Sequence, residues 1–173
     1  MRVMQDLRSA SDVIARDLRR AGHWGDPIAA TANPYASFAP GAAASDAARF
    51  AYSRDASENH VLDSNEQYGL RLRNGVIELL LGAGNWQALT DAGTLWITEF
   101  SVQPQVQSVS LLEHCPRPCP AGATCDARVE VRSLIVRIAA RAAADATVVR
   151  RLASRIRLRN DAVLGACPAR GLP

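Results

Sequence analysis

Lysine is absent from this 173-residue chain, so all twenty of its Lys+Arg cations are arginine. An all-arginine set often follows genome base composition and by itself carries little functional weight. Aromatic residues are scarce, with three Phe, three Tyr and three Trp, and none is interleaved with Arg155 to Arg159. The stacking platform that a single-stranded nucleic acid requires is therefore missing. There is no run of eighteen apolar residues, which excludes a bilayer-spanning helix within the sequence as it stands. No leader with a charged start, an apolar run and a small-residue cleavage site opens it. His23, His60 and His114 stand far apart, and none lies in a G-x-S-x-G or H-E-x-x-H setting, so the chain is not expected to be an enzyme. Gly82 and Gly84 lack the third glycine and the strand-turn-helix setting of a dinucleotide site, and no cofactor is expected.

What the chain does have begins at once. Val3, Leu7, Ala10, Ile14, Leu18 and Ala21 recur at helical spacing and form one apolar stripe. Arg8, Asp12 and Arg16 fall on the other side, four apart, where opposite charges can pair. Gly22 and the Gly25-Asp26-Pro27 run stop the helix, because glycine tolerates a left-handed cap and proline cannot continue the ladder. The spacing thus predicts one long amphipathic helix over 1–25. Hydrophobic content of 48% is ample for a single core at this length, so one domain is expected.

The helix ends on Asp17-Leu18-Arg19-Arg20-Ala21-Gly22-His23-Trp24-Gly25. That segment resembles the PilW-type minor pilins of bacterial type IV pili, in which an Asp-Leu-Arg-x-Ala-Gly-aromatic-Gly motif closes the N-terminal helix. The resemblance continues at Tyr68-Gly69-Leu70-Arg71-Leu72-Arg73-Asn74-Gly75-Val76-Ile77, at Trp86-Gln87-Ala88-Leu89-Thr90-Asp91, and at Ser154-Arg155-Ile156-Arg157-Leu158-Arg159-Asn160. It implies that a prepilin peptidase site and the membrane-embedded half of the helix belong upstream of Met1. Residues 1–25 would then be the C-terminal half of a pilin helix and 26–173 a β-rich globular domain. The stripe Val3, Leu7, Ile14 and Leu18 would pack inward at its upper levels and bundle with other pilin helices at its first turns.

Charge is polarised along the chain. Residues 1–25 hold five Arg and three Asp (+2), residues 26–127 five Arg against eleven acids (−6), and residues 128–173 ten Arg against three acids (+7), which together give the net +3. Opposite patches suit head-to-tail contacts between subunits. The alternative is internal compensation, with the basic strands lying beside the acidic middle.

Four cysteines, Cys115, Cys119, Cys125 and Cys167, sit in a Pro- and Gly-rich loop and in the tail. An even count there reads as two disulfides in an oxidising compartment, for this family the periplasm. Three pairings are possible and the sequence does not choose among them; the expectation is one bridge inside the loop and one tying Cys167 back to it. Zinc is the competing reading, but the C-x3-C-x5-C spacing is not that of paired knuckles. Asp63-Ser64-Asn65-Glu66-Gln67 alternates oxygen-bearing side chains as calcium would require. It lacks the glycine of an EF-hand loop, so a solvated acidic loop is expected.

After a long connection over 26–48, Arg49 to Ser53 alternates as a strand. Asn74-Gly75 predicts a two-residue type I′ hairpin that sets Leu72 opposite Ile77, Leu70 opposite Leu79 and Arg71 opposite Glu78. Trp86 to Leu89 reads as a short strand, and Thr94 to Val102 and Gln105 to Leu112 as two strands broken at Pro104. Arg128 to Arg141 and Thr147 to Arg159 make a second hairpin around Asp145, pairing Ile138 with Leu152 and Leu134 with Ile156. Arg155, Arg157 and Arg159 then form a row on the opposite face. A solvated edge-blunting face is the expected role of that row, a protein contact face the functional one. DNA binding is not expected, because exposed cations alone have low specificity.

The expected fold is α+β and pilin-like, a long N-terminal amphipathic helix packed on antiparallel β-sheet. The resemblance implies a non-enzymatic minor pilin, without metal or cofactor, that joins other minor pilins and the major pilin. Such a subunit helps to prime pilus assembly and sits at or near the tip, where a tip adhesin and cell adhesion enter as further partners and roles. It would be held at the inner membrane by the upstream helix, its globular domain periplasmic and later extracellular on the pilus. The J-type minor pseudopilin of type II secretion is the nearest alternative, and a pilus-borne DNA-binding module the next.

Overall fold

Asn74 and Gly75 take φ values of 49° and 73°, the conformation that a two-residue hairpin between twisted strands demands. The turn fixes the register of β3 (Gln67–Arg73) against β4 (Val76–Leu81), with Leu70 opposite Leu79, Arg71 opposite Glu78 and Leu72 opposite Ile77. In the computed structural model, which describes residues 2–26, 32–82, 84–159 and 161–168, this hairpin is the middle of a five-stranded antiparallel sheet. β1 (Phe38–Ala39) and β2 (Ala47–Ala51) flank β3, and β5 (Trp86–Ala88) flanks β4. Pro27 and Asn160, named in the helix-stop and terminal motifs, lie outside the described residues, as do residues 28–31 of the long connection.

The second sheet is built on β7 (Arg128–Ala142). β6 (Leu95–Ser110) runs antiparallel along one side of it for its whole length. On the other side lie β8 (Val149–Arg157), beside residues 133–141, and β9 (Ala162–Leu164), beside residues 128–130. Ile138 faces Leu152 and Leu134 faces Ile156, the register that the alternation predicts. Asp145 turns this hairpin by accepting both the backbone N–H (3.0 Å) and the hydroxyl (2.7 Å) of Thr147 at Oδ1.

Pro104 does not break β6 as expected: the strand is continuous from Leu95 to Ser110. The reason is its place at the sheet edge. Ser45 and Val102 exchange backbone hydrogen bonds on the outer side of β6 (3.1 and 2.8 Å). By period-two alternation the missing N–H of Pro104 also falls on that side, where no ladder bond is lost.

The helix and fold class need correction. α1 spans Arg2–Leu18, seventeen residues, and ends two residues into the Asp17–Gly25 motif instead of running through it. From Arg20 to Ala21 the N–H groups bond three residues back, to Asp17 and Leu18 (both 3.1 Å), and Gly22 then takes φ +76°. The apolar period runs on to Ala21 although the backbone has left the helix, because a turn can bury a residue as well as a helix can. Nine strands in two antiparallel sheets dominate the described residues, so the chain is mostly β rather than α+β with a long helix laid on a sheet.

Leu7, Ile14 and Leu18 are fully buried and share one core with Phe50, Tyr68, Leu70 and Ile77 of the first sheet and Phe100, Val102, Leu134, Val136, Ile138 and Ile156 of the second. Burial of each such large apolar side chain contributes about 2 kcal/mol. Directly across the sheets, Ile97 N–H donates to the Gly75 carbonyl at 2.8 Å, and the Trp96 indole lies over Gly75. No described helix is long and apolar enough to cross a membrane.

Gly75→Ala places a Cβ in the Trp96 ring and puts alanine at positive φ. The expected loss is about 1–3 kcal/mol by urea denaturation. Trp96→Ala in the same chain relieves the overlap and recovers part of that loss; a neutral Gly75→Ala contradicts the contact.

Candidate assembly surfaces

The segment after α1 is a docking knot. Gly22 N–H donates to the Ala51 carbonyl (2.8 Å), and Ser53 N–H to the His23 carbonyl (2.8 Å), so the chain leaving the helix lies against the end of β2. Arg20 caps the Tyr52 ring at 4.4 Å, and Tyr52 stacks on Tyr68 with centroids 3.9 Å apart. Asn33 Nδ2 donates to the Gly22 carbonyl and its Oδ1 accepts from Tyr35 N–H, both at 2.8 Å. Trp24 is partly exposed and meets His60 edge-on at 5.9 Å.

Glu58 clamps this knot. It accepts from Gly25 N–H at 2.8 Å and from His60 N–H and the Tyr35 hydroxyl at 3.0 Å. Burial works against its ionisation, but the donors from Gly25, His60, Ser53 and Tyr35 outweigh it and hold the carboxyl at about 2. Burial also pushes the Tyr35 and Tyr52 hydroxyls well above the usual tyrosine range. Sequence reasoning missed Glu58, because its partner Gly25 is 33 positions away and a polar Asp55–Gln67 stretch looks merely solvated.

The upper levels of the helix stripe face inward, and its first turn keeps some surface in solvent. Leu7, Ile14 and Leu18 have no exposed surface and are spent on the protein's own core; Val3 alone of the four is partly exposed. Arg8, Asp12 and Arg16 remain on the exposed side, with Arg16 paired to adjacent Asp17 at 3.4 Å rather than to Asp12.

Arg155, Arg157 and Arg159 are exposed in one row at the end of β8 and beyond it. Arg155 reaches across β7 to donate to Gln105 Oε1 (2.6 Å), and Arg157 pairs with Asp161 (2.7 Å). Arg159 N–H meets the Arg19 carbonyl at 3.4 Å, so the helix-end and terminal motifs adjoin, and both residues line one open depression with Arg157. Among the described residues, ion pairs between the acidic middle and the basic end occur only where Arg128 meets Asp126. The middle otherwise pairs within itself, as Arg71 does with Glu78 at 2.6 Å. No other ion pair among the described residues joins the acidic middle to the basic end.

Cys119 bonds to Cys125 within the loop and Cys115 to Cys167 in the tail, with Cα separations of 6.0 and 5.4 Å. In the acidic loop, Glu66 is fully buried, and its oxygens accept from Arg54 N–H (2.7 Å) and Asp63 N–H (3.0 Å). Asp63 accepts in turn from Asn59 Nδ2 at 3.0 Å, so these carboxylates serve the loop's own backbone and side chains. Among the described residues no cluster of three His, Cys, Asp or Glu is placed to hold a metal.

The Glu58 clamp is fully present above the unfolded value near 4.5 and is lost as pH falls toward about 2. Glu58→Gln is expected to flatten the decline in stability across that window and to lower the melting temperature at neutral pH; an unchanged acid limb contradicts the clamp. Separately, the 52-residue separation of Cys115 and Cys167 predicts a larger loss for Cys115→Ser/Cys167→Ser than for Cys119→Ser/Cys125→Ser, whose separation is 6. The losses are about 4 against about 2 kcal/mol on the chain-entropy account, measured by denaturant midpoints.

No curated protein and no solved structure matches the chain. A family model described as prepilin peptidase-dependent protein B matches residues 1–158, which takes in α1, both sheets through β8 and the Arg155–Arg157 end of the basic row. On that match the chain belongs to the prepilin peptidase-dependent protein B family, and is a type IV pilin-related protein.

Proposed function

We propose that this protein is a PilW-type minor pilin, a non-enzymatic subunit that joins other minor pilins and the major pilin to prime assembly of a type IV pilus. It takes its place at or near the fibre tip. In this reading an upstream apolar helix holds it at the inner membrane, and the globular part works in the periplasm before it is carried outside on the pilus. Contact with a tip adhesin and a share in cell adhesion follow from that position.

The observation that carries the reading is a basic row on one sheet and an acidic loop on the other. Three exposed arginines lie in a row at the end of β8, and the partly exposed Asp55, Glu58 and Asp63 are held in a loop of the other sheet. Complementary patches of this kind steer subunits into register and fix orientation. The two disulfides support an oxidising compartment. The buried helix stripe narrows the mechanism: within residues 2–18, lateral contact is left to the charged side of α1, and the globular faces supply the rest.

Mixing the protein with the globular domains of its sibling minor pilins, in non-reducing buffer, tests the reading by size-exclusion chromatography with light scattering. A stoichiometric complex is expected. Arg155→Glu/Arg157→Glu/Arg159→Glu should weaken it by about tenfold or more, with little change in monomer stability because exposed ion pairs contribute little. Persistent monomers with every sibling, or a complex indifferent to charge reversal, contradict it.

A further inference from the structure

β6 is the edge strand of the four-stranded sheet, and Pro104 divides its free side. Since Val102 points its N–H and C=O toward Ser45, alternation points those of Val106, Ser108 and Ser110 the same way. None of these six groups has a backbone partner among the described residues. Residues 106–110 are all exposed, and Val106 and Val109 keep 56% and 40% of their surface in solvent. No charged residue occurs between Glu99 and Glu113. Soluble proteins ordinarily guard such an edge with charge, proline or a bulge. Here the bulge at Ile97/Glu99 and Pro104 both lie upstream and leave 106–110 open.

We propose that a second copy of this chain pairs there, β6 antiparallel to β6 about a two-fold axis at Ser108. Identical strands meeting antiparallel form a self-complementary, closed interface. The register follows from the sequence. With Ser108 opposite the partner's Ser108, Val106 falls opposite the partner's Ser110, and all six outward groups on each copy find partners. A shift one way sets Ser110 against the partner's Pro104, which has no N–H. A shift the other way sets Val106 against the partner's Leu112, where the chain has already turned into the short helix Leu112–His114.

Charge complementarity supports a second copy as the occupant. Arg155 lies over β7 with its guanidinium on Gln105, so a cation sits at the edge. Gln105 falls opposite the partner's Leu111, and the exposed Glu113 follows two residues later. Each Arg155 thus comes to the same end of the seam as the partner's Glu113, twice across the axis. This interface stands apart from the minor-pilin reading, since it needs only a second copy.

Sedimentation velocity of the whole chain over a dilution series is expected to show a monomer–dimer equilibrium, with slower amide exchange at Val106, Ser108 and Ser110 as concentration rises. Ser108→Pro removes an outward N–H, spares the β6–β7 ladder and should leave a monomer. Glu113→Arg should raise the dimer Kd by about tenfold or more, and Glu113→Arg with Arg155→Glu should restore it. A monomer up to about 1 mM overturns the proposal. So does a dimer that ignores the charge swap, a readout that holds even where Ser108→Pro fails to fold.

Discussion

The structure depends on burial of one short apolar stripe where two sheets meet. The sheets share little backbone: among the described residues, Ser45 bridges Val102, and Ile97 N–H reaches the Gly75 carbonyl. Neither contact could hold two twisted layers together. Leu7, Ile14 and Leu18 lie on β7 and β8 and join one buried cluster with side chains of both sheets. Packing at interior density makes each of those side chains sensitive to the removal of even one methylene. Seventeen residues of helix are enough for this, because the core needs one face of the helix over about four turns.

That use of the stripe shapes what remains for recognition. A residue with no exposed surface cannot meet another molecule without local unfolding. The outward surface instead carries the arginines of β8 on one sheet and the acidic loop near the other. The loop is held by interior bonds: buried Glu66 gathers the N–H groups of Arg54 and Asp63, and Glu58 gathers those of Gly25 and His60. Carboxylates used in this way fix backbone. The partly exposed Asp55 and Asp63 are therefore presented on a defined frame rather than a loose strand of chain.

Local chemistry was legible in the sequence and long-range partnership was not. Asn74-Gly75 determines its own turn, and the turn determines the pairing of six residue pairs in β3 and β4. The β7–β8 register followed from matching apolar positions on both arms. The length of α1 was misjudged because period 3.6 continues into a buried turn, and the mostly β character was underestimated with it. Pro104 was read as a break because its strand's position at an edge is a property of the whole sheet. Glu58 left no local trace at all: its carboxylate and the Gly25 amide meet only because the chain leaving α1 lies against the end of β2.

Native-state hydrogen exchange at α1 tests the central claim most directly. If the stripe closes the core, the amides of residues 10–18 exchange only by global opening, with the same free energy as those of β3, β4 and β7. Exchange from α1 at a markedly lower free energy, while both sheets stay protected, would show that the sheets hold together without it and would contradict the account.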